Sequence, residues 1–378
     1  MSKKIIVISA VNLNVGGTLT ILRDCLSYLS RLASGGEYQI IALVHRRSLA
    51  DYPNIRYIET QWPKKNWFNR LWYEYVSMNK ISKQIGPVYL WFSLHDTTPN
   101  VKAEKRAVYC HNPYPFHQWK WREWLLSPKI VMFSLFSKYI YRKNIHLNDF
   151  VIVQQQWLKD AFKRIFHLQG AKIVVALPDP PKWSLAAGDP PAPGREYTFV
   201  YAASPNSHKN FECICKAAVL LKEAGISNFK VYLTISKNDN RYAAWLYKRW
   251  GERNTMLHFV GFQNRHELFV YYDEANCLLY PSRVETWGLP ISEFAVLKKP
   301  MLLADLAYAR ETAAGSATVA FFDPDKAHVL ASQMGRLIQG DKSFLEPVPL
   351  RKAEPPVTKA WGELFDMLLS EQSAEFKL

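Results

Sequence analysis

Two glutamates, Glu285 and Glu293, stand eight positions apart in the stretch YPSRVETWGLPISEFAVLKKPMLLADLAYARE, which runs from Tyr280 to Glu311. A short apolar run, Cys277 to Tyr280, reads as a buried strand that delivers the chain to Glu285. The turn Thr286-Trp287-Gly288-Leu289-Pro290 follows, and Pro290 suits a first helical position, where its missing N–H costs nothing. Glu293 then falls in the opening turn of that helix. Orphan backbone N–H groups at a helix start hold anions, whereas carboxylates accept hydrogen bonds from hydroxyls. One element thus offers amides for phosphate with a carboxylate on either side, a combination that suits a sugar nucleotide.

The elements that must position these groups form a repeating pattern. Lys4–Ser9 reads as a parallel-sheet strand, and further strands are expected at Tyr38–Val44, Ile55–Glu59, Val88–Leu94, Arg106–Cys110 and Phe150–Gln154. A second series is expected at Tyr197–Ala202, Lys230–Thr234, His258–Gly261, Cys277–Tyr280, Met301–Ala304 and Val319–Phe322, with helical patterns between. Strands alternating with helices predict parallel sheets covered on both faces, with ligands bound beyond the carboxyl ends of the strands. The stretch Leu177 to Glu196, rich in Pro, Gly and Ala, separates the two series as a linker. The expected organisation is an N-terminal domain over 1–180, a linker over 181–196, a second domain over 197–350 and a C-terminal segment over 351–378.

Several strand ends carry further candidates. Lys209-Asn210 opens a helix after the first strand of the second domain, so a cation and helix amides coincide where a diphosphate leaving group could sit. Val15-Gly16-Gly17-Thr18 turns from the first strand into a helix from about Leu19 to Leu32; it fits a close approach to ligand or a plain connection equally well. His95 and His111 each follow a strand, and a lone histidine there reads first as a satisfied polar residue. Phe262, in Val260-Gly261-Phe262-Gln263, reads first as core. Arg283 reads either as a phosphate cation or as a solvated loop charge. Asp323-Pro324-Asp325 has the form of a metal-binding D-x-D, but its place before a helix favours capping.

The Glu285-to-Glu293 stretch, with Ala304-Asp305-Leu306 and Arg310-Glu311 after it, resembles the signature of the retaining GT-B glycosyltransferases of glycosyltransferase family 4 (group 1). The resemblance is close from about Tyr197 to Asp325 and looser before that. It implies an α/β fold of two doubly wound Rossmann-like domains facing across a cleft, with a C-terminal helix crossing back onto the first. It implies that Glu285 and His111 contact the donor sugar and that Glu293 binds the nucleotide ribose. Lys209 would stabilise the departing diphosphate, so Glu285, His111 and Lys209 are the expected catalytic residues. Expected around the donor are Gly16, Gly17, Asn210, Gly261, Phe262, Arg283, Thr286, Trp287, Gly288 and Leu289. His95, Asn112 and Tyr114 are the acceptor-side candidates. The family often carries an Arg about six residues before the Lys; this chain has Ala202 and Ala203 there. The resemblance also implies that Lys, Arg and amides handle the diphosphate, so no metal and no cofactor are expected beside the nucleotide-sugar donor.

Charge and composition bound the partners. Residues 1–180 hold 25 Lys and Arg against 11 Asp and Glu, whereas residues 181–378 hold 23 against 22. A basic first half predicts an anionic surface or ligand. Trp62 to Ile85 places Phe68, Leu71, Trp72, Tyr75 and Val76 on one helical stripe among cations, and Trp119 to Arg142 is likewise aromatic and basic. Such helices either pack on the sheet with their charges solvated or lie in a membrane interface. No nucleic-acid module is present, and none is expected as partner. No apolar stretch spans a bilayer, the start MSKKIIVISA is not a signal peptide, and five scattered cysteines read as reduced thiols. The expectation is a cytoplasmic enzyme, peripheral on the inner face of the cell membrane, extending a glycan or lipid-linked saccharide in surface-polysaccharide assembly. A dehydrogenase lacks its full G-x-G-x-x-G here. A non-catalytic basic scaffold explains the charge but not the glutamate pair.

Overall fold

The structure is a computed structural model in which residues 3–14, 16–178 and 196–370 are described, the side chain of Arg122 excepted. Residues 181–195 of the expected linker, and Val15 of the first glycine turn, lie outside the described residues.

The strands are β1 (Lys4–Ser9), β2 (Tyr38–Val44), β3 (Ile55–Glu59), β4 (Val88–Ser93), β5 (Lys105–Tyr109), β6 (Phe150–Val153), β7 (Ile173–Ala176), β8 (Tyr197–Tyr201), β9 (Phe229–Leu233), β10 (Leu257–Phe259), β11 (Cys277–Tyr280), β12 (Met301–Ala304), β13 (Val319–Phe322) and β14 (Val357–Thr358). Helices of the first half are α1 (Gly16–Ser34), α2 (Trp67–Trp72), α3 (Met78–Ile85), α4 (Trp121–Leu126), α5 (Pro128–Arg142) and α6 (Gln156–Phe166). Those of the second half are α7 (Phe211–Glu223), α8 (Arg241–Arg249), α9 (Arg265–Glu274), α10 (Leu289–Ala295), α11 (Ala307–Thr312), α12 (Ala327–Ile338) and α13 (Trp361–Leu369).

Two compact units result. The first comprises the described residues of Met1–Asn112, Phe136–Asp179 and Ala353–Leu378; the second comprises those of Pro113–Leu135 and Pro180–Lys352. The first unit holds an eight-stranded parallel sheet in the order β14-β7-β6-β5-β4-β1-β2-β3. Its strands are apolar runs such as KIIVIS and YQIIALV because a parallel sheet is buried on both faces. Leu364, Phe365 and Leu368 of α13 lie in this core beside Leu26, Leu29 and Phe92. Each such side chain contributes about 1.5–3 kcal/mol by leaving water.

The second unit holds a six-stranded parallel sheet, β10-β9-β8-β11-β12-β13. Strand order reverses at β8, which has β9 on one side and β11 on the other. A ligand crevice opens at such a switch point, beyond the carboxyl ends of the strands.

The Trp62–Ile85 stretch does not form one buried stripe in the first unit. Between α2 and α3 the chain makes a π-helical turn, Tyr73–Ser77. The extra residue shifts the register after Trp72, and Tyr73, Glu74 and Met78 are buried, whereas Phe68 is 86% and Trp72 62% exposed. The Trp119–Arg142 segment is also divided, into α4 and α5, at Ser127-Pro128. Among the described residues no helix is long and apolar enough to cross a membrane. All five cysteines are buried and free.

Candidate active site

The loops after β8 and β11 build the site of the second unit. Lys209 ends a tight turn, Ser207–Lys209, and its Nζ lies 2.5 Å from Glu285 Oε1. Tyr280, the last residue of β11, donates its hydroxyl to the same oxygen at 3.0 Å. The Lys209 and Glu285 side chains are only 14% and 10% exposed, so the pair is largely removed from water and its attraction is weakly screened. The pair is held from behind. Tyr201 O–H donates to Lys209 O at 2.6 Å, and Arg283 N–H donates to His208 O at 2.8 Å.

Asn210 differs from its expected place at the donor. It is buried in a left-handed conformation, φ 59°, and its Nδ2 donates to Pro281 O at 3.1 Å and Pro324 O at 2.8 Å. It therefore ties together the turns that carry Lys209, Arg283 and Asp325. Asn is one of the few non-glycine residues that tolerates this backbone region.

Gly288 takes φ 88° and caps α10. A side chain there would be strained by the backbone and would press Ile291 Cδ1 at 3.3 Å. Beyond it, Leu289 is 40% exposed and Trp287 donates Nε1–H to Ser292 Oγ at 3.2 Å. Thr286 stands between Glu285 and this tryptophan. Glu293 is buried, with Arg265 Nη2 3.6 Å from its Oε1. Burial raises its carboxyl pKa, partly opposed by Arg265. At the end of β10, Gly261 has φ 79° and Phe262 is 84% exposed, so Phe262 is not the core residue that the isolated sequence favoured.

The segment Pro113–Leu135 supplies a second layer that the sequence did not reveal. Glu123 of α4 is buried and its Oε2 lies 3.0 Å from His117 Nε2, while Ser207 Oγ donates to it at 2.7 Å. Its Oε1 accepts Lys120 N–H at 3.0 Å. Burial pushes the Glu123 carboxyl up, but the bonds from His117, Ser207 and Lys120 outweigh it and leave its pKa lowered. His208 packs edge-on against Tyr114 and His117, at ring separations of 5.2 and 5.9 Å. Burial, with Lys209, His117 and Arg283 nearby, holds His208 well below the usual imidazole pKa. Tyr114, expected on the acceptor side, thus packs against the turn that carries Lys209.

Asp325 corrects another expectation. It does not cap α12, whose N-cap is Lys326 without a side-chain bond. Its N–H instead donates to Asp323 Oδ1 at 2.9 Å, while its own carboxylate pairs with Lys120 and with Arg283. Among the described residues no group of three or more His, Cys, Asp or Glu side chains has a metal-holding arrangement.

The first unit carries a separate cluster at the ends of β1, β4 and β5. Gly16 and Gly17 open α1 and are exposed; the helix starts three residues earlier than its sequence pattern. His95 is 1% exposed: Nδ1 lies 3.0 Å from Thr97 Oγ1 and 3.3 Å from Glu74 Oε1, and Nε2 lies 3.1 Å from Ser9 Oγ. It belongs to a buried polar network rather than to a surface an acceptor could touch. Asp96, with φ 72°, accepts the N–H of His111 at 2.7 Å and of Asn112 at 3.0 Å on Oδ1. Its Oδ2 lies 3.6 Å from His111 Nε2. Asp96 is therefore the residue that fixes the His111-Asn112 turn, and its strained backbone is compensated by those bonds.

Comparison with known proteins follows the same division. Residues 187–347 match the family "Glycosyl transferases group 1". No curated protein matches the chain in sequence. Among solved structures it is similar to a sucrose-phosphate synthase from Thermosynechococcus elongatus, with 16% identity and a TM-score of 0.61 over 92% of each chain. It is also similar to WaaG, a glycosyltransferase involved in lipopolysaccharide biosynthesis, with 12% identity and a TM-score of 0.62 over 90% of this chain and 91% of that one. The lipopolysaccharide outer core galactosyltransferase WaaB gives 11% identity and 0.60 over 89% and 90%. These likenesses concern the fold, which is the GT-B arrangement of two Rossmann-like domains. On that fold, residues 187–347 are the part of the chain that is similar to the group 1 glycosyltransferases.

Proposed function

We propose that the protein is a retaining glycosyltransferase of the family 4 type. It would move a sugar from a nucleotide diphosphate sugar to a hydroxyl of a glycan acceptor. The observation that carries this reading is the Lys209–Glu285 pair at the switch point of the second sheet, within the segment that matches the group 1 family.

In the reaction the bond from the anomeric carbon to the diphosphate breaks, and a bond from the acceptor oxygen forms on the same face. The acceptor proton passes to the leaving phosphate oxygen, so configuration is retained. Lys209 stabilises the charge that develops on the leaving diphosphate, in a site where low exposure strengthens the interaction. Glu285, oriented by Tyr280, accepts hydrogen bonds from sugar hydroxyls. Glu293 accepts from the ribose, and the exposed Phe262 ring stacks on the base. Diphosphate handling rests on these side chains and amides without a metal or cofactor, and the donor enters as a substrate. The first unit is the proposed acceptor-binding domain; in the turn fixed by Asp96, His111 keeps its expected catalytic role and Asn112 its acceptor-side one.

A lipid-linked saccharide of surface-polysaccharide assembly is the proposed acceptor, and the likeness to WaaG, a glycosyltransferase involved in lipopolysaccharide biosynthesis, supports that class. Peripheral attachment to the cytoplasmic face of an anionic membrane is part of the same proposal. It is supported by exposed Trp67, Phe68 and Trp72 of α2 beside exposed Lys64 and Lys65. A non-catalytic scaffold gives the buried pair no role. Proton NMR of the first-formed product tests retention: an anomeric coupling matching the donor's supports it, and the opposite anomer overturns it.

A further inference from the structure

In the first unit, one ion pair joins the exposed aromatic face of α2 to the turn that holds His111. Phe68 and Trp72 stand one helical turn apart on that face, beside exposed Lys64 and Lys65. The Arg70 guanidinium lies 5.1 Å from the centroid of the Trp67 ring and reaches inward from there. Its Nε–H donates to Glu74 Oε1 at 2.9 Å and its Nη2–H to His95 O at 3.0 Å. Glu74 sits in the π-helical turn and is buried. Its Oε2 accepts the Thr97 hydroxyl at 2.6 Å, and its backbone O accepts Asn100 N–H at 3.2 Å. His95 and Thr97 flank Asp96, so Arg70 and Glu74 brace the loop that carries it on both sides.

Two parts of this brace hold only while their contacts hold. A π turn is rare and persists where surrounding contacts favour it. Winding it back to α register turns α2 by about one residue, roughly 100°, and withdraws Arg70 from His95 O. Asp96, at φ 72°, is in a backbone region that a non-glycine residue keeps only under constraint. Once it relaxes, Oδ1 leaves the N–H groups of His111 and Asn112. The braced register is also the one that presents Phe68 and Trp72 outward beside the two lysines. A bilayer interface that takes up those rings, with anionic headgroups on Lys64 and Lys65, selects that register. We infer that Arg70 and Glu74 are positioning residues that couple an anionic lipid surface at α2 to the His111-Asn112 turn, so that membrane contact tightens the turn. The inference rests on the membrane reading above and adds regulation of the first unit's site by that surface.

The test combines co-sedimentation with amide hydrogen exchange, read by mass spectrometry over His111 and Asn112. The full chain is measured alone and with vesicles of equimolar phosphatidylglycerol and phosphatidylcholine. In wild type the vesicles slow exchange at these amides by about fivefold or more, the range of an ordinary coupling between sites. Arg70→Gln still sediments with the vesicles, but its exchange there is fast and no longer responds to them. Arg70→Lys keeps a cation for Glu74 without the fork that also reaches His95 O, and it gives the same result if Arg70→Gln fails to fold. The double variant Phe68→Ser, Trp72→Ser exchanges like wild type without vesicles, and loses both sedimentation and slowing. A merely structural Arg70 speeds exchange equally with and without vesicles and leaves the slowing intact; that result in both Arg70 variants overturns the coupling. So does wild type that sediments with no slowing at His111 and Asn112. Wild type that does not sediment defeats the membrane reading and this inference with it.

Discussion

Lys209 Nζ and Glu285 Oε1 lie 2.5 Å apart, although 76 residues separate them in the chain. The contact joins the loop after β8 to the loop after β11 and places a cation and a carboxylate at the point where the sheet order reverses. Removing either partner leaves the other largely buried without its counter-charge, and such a charge costs several kcal/mol. Lys209→Met is therefore expected to lower kcat by about 10²–10³, the effect of losing one group that stabilises developing charge. Glu285→Gln is expected to fall by a similar factor while remaining folded. Steady-state kinetics with a melting curve check this; turnover within about threefold of wild type removes the pair from the chemistry.

Glu123 and Ser207 form a second long-range link, with 2.7 Å between Oγ and Oε2. Because Ser207 opens the turn that ends in Lys209, Glu123→Gln and Ser207→Ala are each expected to lower kcat about tenfold with little change in donor KM. The two act on one contact, so the double variant is expected to be no worse than the poorer single variant. Additive losses contradict the link.

Stability is expected to fall as the medium becomes mildly acidic. His208 is held neutral by burial, with Lys209 beside it, and its folded pKa lies well below the ordinary 6.5. Below that value the unfolded chain takes up a proton that the folded chain refuses. The unfolded state then binds more protons, and stability drops by about 1.4 kcal/mol for each pH unit below 6.5. His95, also lowered by burial, acts with the same sign. Melting temperature between pH 7.5 and 5.5 measures the effect, and His208→Gln is expected to flatten the slope. An unchanged slope in that variant contradicts a buried neutral His208.

The strands were legible because parallel sheets demand continuous apolar runs, and KIIVIS, YQIIALV and CLLY declare themselves. β7 and β14 were missed: IVVA is short, and Val357–Thr358 is two residues with no pattern of its own. Phe68 and Trp72 do share a helical face, as periodicity implied, but that face is exposed, and the π turn after Trp72 breaks the register with Tyr75 and Val76. Glu285 and Glu293 stood out as candidates because a strand, a Gly-Leu-Pro turn and a helix frame them, whereas their spacing alone is a weak signal. Glu123, Lys120 and Asp325 were not, since their partners lie 42 to 205 positions away. A hint for Glu123 was the acid within the basic stretch WKWREWLL. Tyr280 and Asp96 each sit at a strand's carboxyl end, the one local signal that could have marked them.

The most direct test of the donor site is a thermal-shift and product-release screen with UDP, GDP, dTDP and ADP sugars, run on wild type and Glu293→Ala. One nucleotide series is expected to raise the melting temperature by several degrees in wild type, as ligand linkage requires, and to lose that shift in the variant. No shift with any donor, or a shift that Glu293→Ala retains in full, contradicts a nucleotide-sugar site between β8 and β11.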